Sequence, residues 1–551
     1  MTKYTLTFVL LSFLSTISIA QSVYVPLDQD YYHIIDRYEI KNNKAFYTSF
    51  KPLTRAQVVS LTDSMNNLNM NKTDIFNQLY LMRDNWDYLS DSLQKTLEKK
   101  GVFNTFYKQP QAFYHVKEPL LTFVANPVIH FEQNNINKDY PLSLNSRGGE
   151  ARGLVANKIA FYTFITDNQA FAPPYIKEVA DSARAYPGEG FTKRFKQSGY
   201  DFFSARGYIA FNIAKPIAVQ FGHDKNFVGN GFRSLLLSDH SSKYLFLKVT
   251  TNVWKLNYTN LFTDMTGEVI NGNRYNPRKY MAIHHLSYQI TKNLNVGIFE
   301  NIVFQRQDST TGNRGFELNY LNPIIFYREV ESYLGGEDKT AVGLDIKYNF
   351  LKHISLYAQL VLNELSVKYL AARNGWWGNK YAYQAGLKYI DVLGVKNLDL
   401  QLEYNLIRPY MYTDKIVLTN FSNYGQPTTH PLGANLTEYL GVLRYQPTGR
   451  LRLTATAFWI KQGKDLNGLN YGGDIFKPGY QPVNQFGNTV GQGLSTDIKF
   501  LNLVASYQVL HNMFLDARFT YRTEQNSQIS RKDQFLTLAL RWNVGQRIHH
   551  F

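Results

Sequence analysis

Cysteine is absent from all 551 residues, so neither disulfides nor thiolate metal sites can hold this chain together. Long apolar runs are missing too. Beyond Ala20 no stretch reaches the ~18 consecutive apolar residues that a membrane-crossing helix requires. There is no Gly-x-Ser-x-Gly nucleophile elbow and no phosphate-cradling glycine loop. Asp308, Asp338 and Asp474 lack the regular spacing of a calcium loop. Acidic residues are in deficit, 43 against 59 basic ones, for a formal net charge of +16. In an exported chain that excess points away from nucleic acid and toward phosphate-bearing lipid headgroups, an acidic polysaccharide or an anion pore.

What is abundant is aromatic: 40 Tyr and 37 Phe lift the aromatic content to 15%. Hydrophobic residues make up 44% of the chain, yet mean hydropathy is −0.32, so apolar and polar residues are finely interleaved. Strands interleave them in this way, because successive side chains point to opposite faces. At the N-terminus Lys3 is the only charge before Asp28, Leu6 to Ile19 is mostly apolar, and Ser18-Ile19-Ala20 forms a small-residue cleavage site. That is the pattern of a secretory signal peptide over residues 1–20, with Gln21 first in the mature chain.

Residues 21–117 read as a helical unit. Ile34, Ile35 and Tyr38 share one face, Thr54 stands where a cap is needed, and Val58, Leu61 and Met65 follow at helical spacing. Thr73 to Lys100 forms one longer amphipathic pattern, which Gly101 is placed to end. From residue 118 to 551 the period is two. Leu398, Leu400, Leu402 and Tyr404 alternate with Asp399, Gln401, Glu403 and Asn405, and Leu515 to Arg522 repeats the pattern. Segments pair across short turns such as 292–293 and 447–450, while longer connections such as 263–279, 412–435 and 462–493 carry Gly, Asn and Asp. These features predict an all-β protein, a large antiparallel outer-membrane β-barrel of about 16–18 strands preceded by a small periplasmic helical unit. A secreted β-sandwich array is the competing class. Leu536, Leu538, Leu540 and Trp542 alternate near the end and the chain stops at Phe551; a last strand ending in Phe looks like the signal read by barrel-assembly machinery.

The stretch from Ala205 to Val249 carries the candidate site. Two strand-like segments flank a loop rich in Gly, Asn, Asp and His, which returns through Leu235-Leu236-Leu237-Ser238 as a further strand. His223, Asp224, Lys225, Asn226, Asn230 and Arg233 are its candidate glycan contacts. Trp376 and Trp377, set among Asn and Gly, suit stacking on sugar faces. Belt aromatics at a membrane interface are the plainer reading of such rings. Ser234 and Ser238 near His223 and Asp224 raise a barrel hydrolase as a remote option. Glu329 and Glu331, two apart on a strand, could form a carboxylate pair, although lumen acids more often partner Arg and Lys. His284 and His285 are adjacent on a strand, face opposite ways and cannot share a metal. The residues call for no cofactor, no metal and no enzyme activity.

Phe221-Gly222-His223-Asp224, Gly229-Asn230-Gly231 and Arg233-Ser234-Leu235-Leu236-Leu237-Ser238, with Tyr24-Val25-Pro26-Leu27 and Pro52-Leu53-Thr54-Arg55, resemble the Wzi-type capsule-assembly family. Within it the likeness runs to the gliding-motility branch of Bacteroidetes, the RemB type. The resemblance covers most of the mature chain. It implies an outer-membrane barrel of a Gram-negative bacterium, embedded among lipid and lipopolysaccharide, that binds exported polysaccharide and tethers it to the cell surface. Capsule members carry a Trp-Gly-Pro-Gly type sequence where this chain has Phe227-Val228-Gly229-Asn230-Gly231, which favours the motility branch and its gliding or secretion machinery as partner. An anion-selective porin is the alternative function.

Overall fold

Period-two alternation becomes a closed wall. The computed structural model describes residues 22–29, 31–45, 49–65, 70–98, 102, 105–109, 111–134, 142–267, 276–305, 307–308, 312–313, 315–322 and 338–551. The signal-peptide segment, Gly101, Glu329 and Glu331 lie outside these residues.

Among the described residues an 18-strand antiparallel ring closes. Its first half is β1 (Leu121–Asn134), β2 (Ser143–Val155), β3 (Ile159–Phe171), β4 (Gly199–Ala214), β5 (Ile217–Asp224), β6 (Tyr244–Val253), β7 (Leu256–Thr266), β8 (Arg278–Thr291) and β9 (Leu294–Gln305). The second half is β10 (Lys339–Phe350), β11 (Ile354–Glu364), β12 (Lys380–Tyr389), β13 (Leu398–Ile407), β14 (Leu436–Tyr445), β15 (Leu451–Lys464), β16 (Leu494–Leu510), β17 (Met513–Gln525) and β18 (Ser530–Trp542). At the seam β18 pairs with β1 only from Thr537↔Asn134 to Trp542↔Ile129. Further along that β1 edge, Leu121 to Ala125 pairs with a short strand, Tyr114–Glu118, that leads in from the helical unit.

Ile165, Phe203, Leu344, Leu402, Leu503 and Leu538 are exposed on the outside, while their chain neighbours Thr166, Ser204, Asp345, Glu403, Asn502 and Thr537 are buried in the lumen. Water-facing barrels put the apolar set inside; the reverse arrangement belongs to a wall surrounded by lipid. Exposed Tyr439 and Trp459 stack at 5.9 Å on the same face. One patch departs from the rule: His284 and Glu300 face outward but are buried, in a region where Phe316 and Tyr320 pack against the outward Phe262 and Phe304. His285, its neighbour, points inward onto Asp345 at 2.6 Å.

The helical unit docks at the short-turn end of the ring. It comprises α1 (Tyr31–Lys41), α2 (Arg55–Met65), α3 (Lys72–Asp84) and α4 (Asp91–Leu97). The single long helix expected from Thr73 to Lys100 is instead broken at Asn85, followed by a 3-10 turn at Trp86–Tyr88. Asn71 starts α3 with a reciprocal capping box to Asp74, which satisfies backbone donors the helix cannot. Ile34, Ile35, Val58, Leu61, Met65 and Leu81 form the unit's own core. Its polar rim grips the wall: Arg37 reaches Asp391 and Asp399, Lys347 and Lys388 reach Asp36, and the Tyr80 hydroxyl donates to Asn512 at 2.6 Å.

Three pieces fill the lumen. From the helical unit, Phe50–Lys51 rises as a short strand and pairs with Phe227–Val228. From the opposite end, the 225–243 loop folds inward, and Leu235, Leu236 and Leu237 join a lumen core with Phe246, Ile283, Phe299, Phe458 and Phe500. The strand expected at 235–238 is therefore absent. A single bridge, Val228↔Leu237, remains, because three leucines with no polar partner serve better as filling than as a ladder. The third piece corrects the reading of the C-terminus. The last strand stops at Trp542, Asn543 turns left-handed at φ 55°, and the tail enters the lumen. Phe551 is buried against Tyr175 rather than ending a strand, and Arg522 donates to its carbonyl. The basic and histidine-rich sequence from 547 to 550 suits a polar lumen and not a lipid-facing strand.

Candidate binding sites in the lumen and at the long-loop end

The sequence-derived residues divide into four environments. His223 is exposed on the outer face, beside exposed Phe221 and Leu245, with ring Nδ1 3.3 Å from the Ala205 carbonyl. Strand alternation puts it on the opposite side from Asp224. Asp224, Lys225 and Arg233 share a lumen chamber of about 440 Å³ with Arg206, Glu189, Lys243 and the tail residues Arg547 and His549. Charges there are mostly matched: Arg206 pairs with Asp28 at 3.0 Å and Lys243 with Glu189. Burial raises the Glu189 carboxyl, but Lys243 and Arg547 outweigh it and hold the group down to about 2. Lys225 donates to the Asp239 carbonyl at 2.9 Å; burial, reinforced by Lys243, lowers its ammonium to about 8.

Arg233 is committed to the wall. Its guanidinium donates to Glu438 at 2.8 Å, and Glu438 also meets His430 at 3.1 Å. Backbone N–H groups of Phe232 and Arg233 donate to Glu403. Two wall carboxylates thus pin the tip of the inward loop. Asn226 is fully buried and its Oδ1 accepts from Lys248 at 3.2 Å, while its amide nitrogen and the Asn230 Oδ1 have no partner among the described residues. The Ser234 hydroxyl donates to the Val228 carbonyl and accepts from Leu236 and Leu237, closing a turn; the Ser238 hydroxyl accepts from the His240 N–H. Among the described residues neither serine is hydrogen-bonded to a histidine ring nitrogen.

Trp376 and Trp377 stand apart from the lumen set, on the long-loop rim. Trp377 is buried, donates through Nε1 to Gln485 at 2.8 Å and carries the Lys380 ammonium 4.8 Å from its ring centroid. Trp376 stacks obliquely on Tyr369 at 4.9 Å, next to Phe486, which is 49% exposed. Among the described residues no cluster of three or more His, Cys, Asp or Glu side chains is arranged to hold a metal.

Sequence reasoning missed a cleft of about 730 Å³ at this end. It is assembled from α5 (Pro174–Ala183) with Arg184, from Phe191, and from the 408–435 and 465–493 loops through Tyr424, Pro431, Asp474 and Phe476. Phe191 and Tyr424 meet edge to face at 4.8 Å. Gly425, at φ 66°, lets this loop approach Ala183 so closely that a Cβ would come within 3.2 Å of it. The Tyr424 N–H donates to the Thr266 carbonyl at 2.9 Å, and the Gln426 amide donates to the Glu189 carbonyl at 2.9 Å. The available signal was the length and Gly content of the two long connections; no spacing rule brings four separate loops together.

No family model matches this sequence, and no curated protein does. Among solved structures the chain is similar to the outer membrane protein OprD of Pseudomonas aeruginosa, at TM-score 0.43 and 10% identity over 79% of this chain and 97% of that one. It is similar to Wzi of Escherichia coli, an outer membrane protein involved in group 1 capsule assembly and described as a carbohydrate-binding β-barrel. With TM-score 0.58, 12% identity and coverage of 95% of this chain and 100% of that one, this chain shares the overall fold of that barrel.

Proposed function

We propose that this protein is a non-enzymatic outer-membrane barrel that holds surface polysaccharide at its long-loop end. The observation that carries the reading is the 730 Å³ cleft, with Phe191, Tyr424 and Phe476 beside Arg184, Lys464 and Asp474. Rings supply stacking faces for the apolar sides of sugars, and the charged rim supplies fixed partners for hydroxyls and carboxylates. Beneath the cleft, the apolar core around Leu235–Leu237 occupies part of the lumen, which suits retention of a glycan at the surface better than passage of a chain. The net charge of +16 favours an acidic polymer. Likeness of fold to a carbohydrate-binding barrel points the same way. The exposed apolar band would sit in lipid, with the helical unit on the periplasmic side. The motility role implied by the sequence resemblance would use the same outward surface to engage the gliding machinery.

The test is retention of acidic polysaccharide by detergent-purified protein across a salt series. Binding should weaken with salt, and Tyr424→Ala or Trp376→Ala should cost about tenfold in affinity, equivalent to about 1.4 kcal/mol. No binding at any salt, together with anion-selective conductance in a planar bilayer, would replace this reading with the porin one.

A further inference from the structure

A second lumen chamber, of about 370 Å³, opens where the helical unit, the inward loop and strands β13 to β15 meet. None of the sequence-derived candidates lines it. It adjoins the 440 Å³ chamber across shared lining residues, Phe232 among them, so a small solute in one is next to the other. Its volume falls in the range of ligand cavities, roughly 300–1,000 Å³, and leaves no room for a polymer.

Lys51 sets its chemistry. Pairing with Phe227 fixes its backbone, and its ammonium stands 5.4 Å from the Tyr32 ring centroid and 5.2 Å from that of Phe227. Among the described residues it has no ion-pair partner and no hydrogen-bond acceptor. The acids nearby are engaged elsewhere: Asp36 meets Lys347 at 3.3 Å and Lys388 at 2.5 Å, and Glu39 meets Lys347. Burial of the lone ammonium lowers it to about 8. A buried cation facing a cavity, flanked by rings and with no carboxylate in ion-pair contact among the described residues, is half of a recognition site. Donors and acceptors for the other half line the same space, including Gln401 and Arg444, which bond each other at 3.2 Å.

We propose that this chamber is a binding site for a small acidic monosaccharide, its carboxylate on Lys51, its apolar face toward Tyr32 and Phe227, and its hydroxyls on Gln401 and Arg444. The site is separate from the outer cleft and stands whether or not the cleft holds a polymer.

Titration calorimetry on the full chain in detergent, with glucuronate, glucose and inorganic phosphate as probes, tests this. Glucuronate should bind at least tenfold tighter than glucose or phosphate. Lys51→Met should abolish that binding, and Lys51→Arg should retain part of it. Equal binding of phosphate and glucuronate, or binding indifferent to Lys51→Met, overturns the proposal. Should Lys51→Met fail to fold, the wild-type protein decides: glucuronate should shield Lys51 from reductive methylation read by mass spectrometry, and an unshielded Lys51 overturns it. Binding should also fall as pH rises through about 8 and Lys51 loses its proton. The groups facing it, Asp36 and Glu39 of α1, Lys347 of β10 and Lys388 of β12, are already locked in ion pairs.

Discussion

The two faces of the same strands obey different rules. Outside, Ile298, Leu344 and Leu360 lie in register across three strands, and any apolar residue would serve at those positions. Inside, many charged groups have a particular partner, commonly hundreds of residues away, such as Arg37 with Asp399 or Arg233 with Glu438. An apolar surface in lipid is specified by composition; a filled lumen is specified by pairs. Substitutions should therefore be tolerated on one face by kind and on the other by identity.

The sharpest way to break that contrast is Arg233→Ala. It strands Glu438 in the lumen and should cost about 3–5 kcal/mol in denaturant unfolding of the reconstituted protein. A cost below about 1 kcal/mol would mean that the lumen pairs specify nothing the wall does not. Next comes Leu344→Arg on the outer face, expected to cost about 2–4 kcal/mol in lipid, whereas Leu344→Val at the same place should be nearly silent. If both outer substitutions behaved alike, that face would not be in hydrocarbon. A smaller effect belongs to Asn71→Ala, which removes the α3 cap for about 1 kcal/mol. Its loss should appear as faster proteolysis within the helical unit while the barrel still migrates as a folded species. The mildest concerns acid. Glu189 is held to about 2, below its ordinary 4.5, so its contribution is complete above about 4.5 and lost as pH falls toward 2. Protease access to the 225–243 loop and the tail should rise between pH 5 and pH 2, and Glu189→Gln should remove that pH dependence.

Period two was legible along the chain because it is local: Leu398 to Asn405 needs no partner to show its alternation. The ring of 18 strands sits at the upper end of the expected range. Helical faces in the N-terminal unit were legible for the same reason, although the break at Asn85 was hidden under continuous amphipathic spacing. The filling was not legible. Leu235-Leu236-Leu237 has the composition of a buried strand, and only the carboxylates of Glu403 and Glu438, more than 160 residues on, explain why that loop turns inward. For the candidate site, Asp224, Lys225 and Arg233 were grouped by sequence proximity and do line one chamber, while strand alternation sends His223 to the other side of the wall. The 730 Å³ cleft depends on contacts among four loops, and no local pattern encodes them.

The seam gives the ring an unusual fastening. Strand β18 holds β1 only along Ile129–Asn134, and further along that edge Leu121 to Ala125 is held by Tyr114–Glu118. The segment that completes the wall is therefore the lead-in from the helical unit itself. Seating that unit and shutting the cylinder become one event, and anything that pries the unit loose also loosens the wall at its weakest joint.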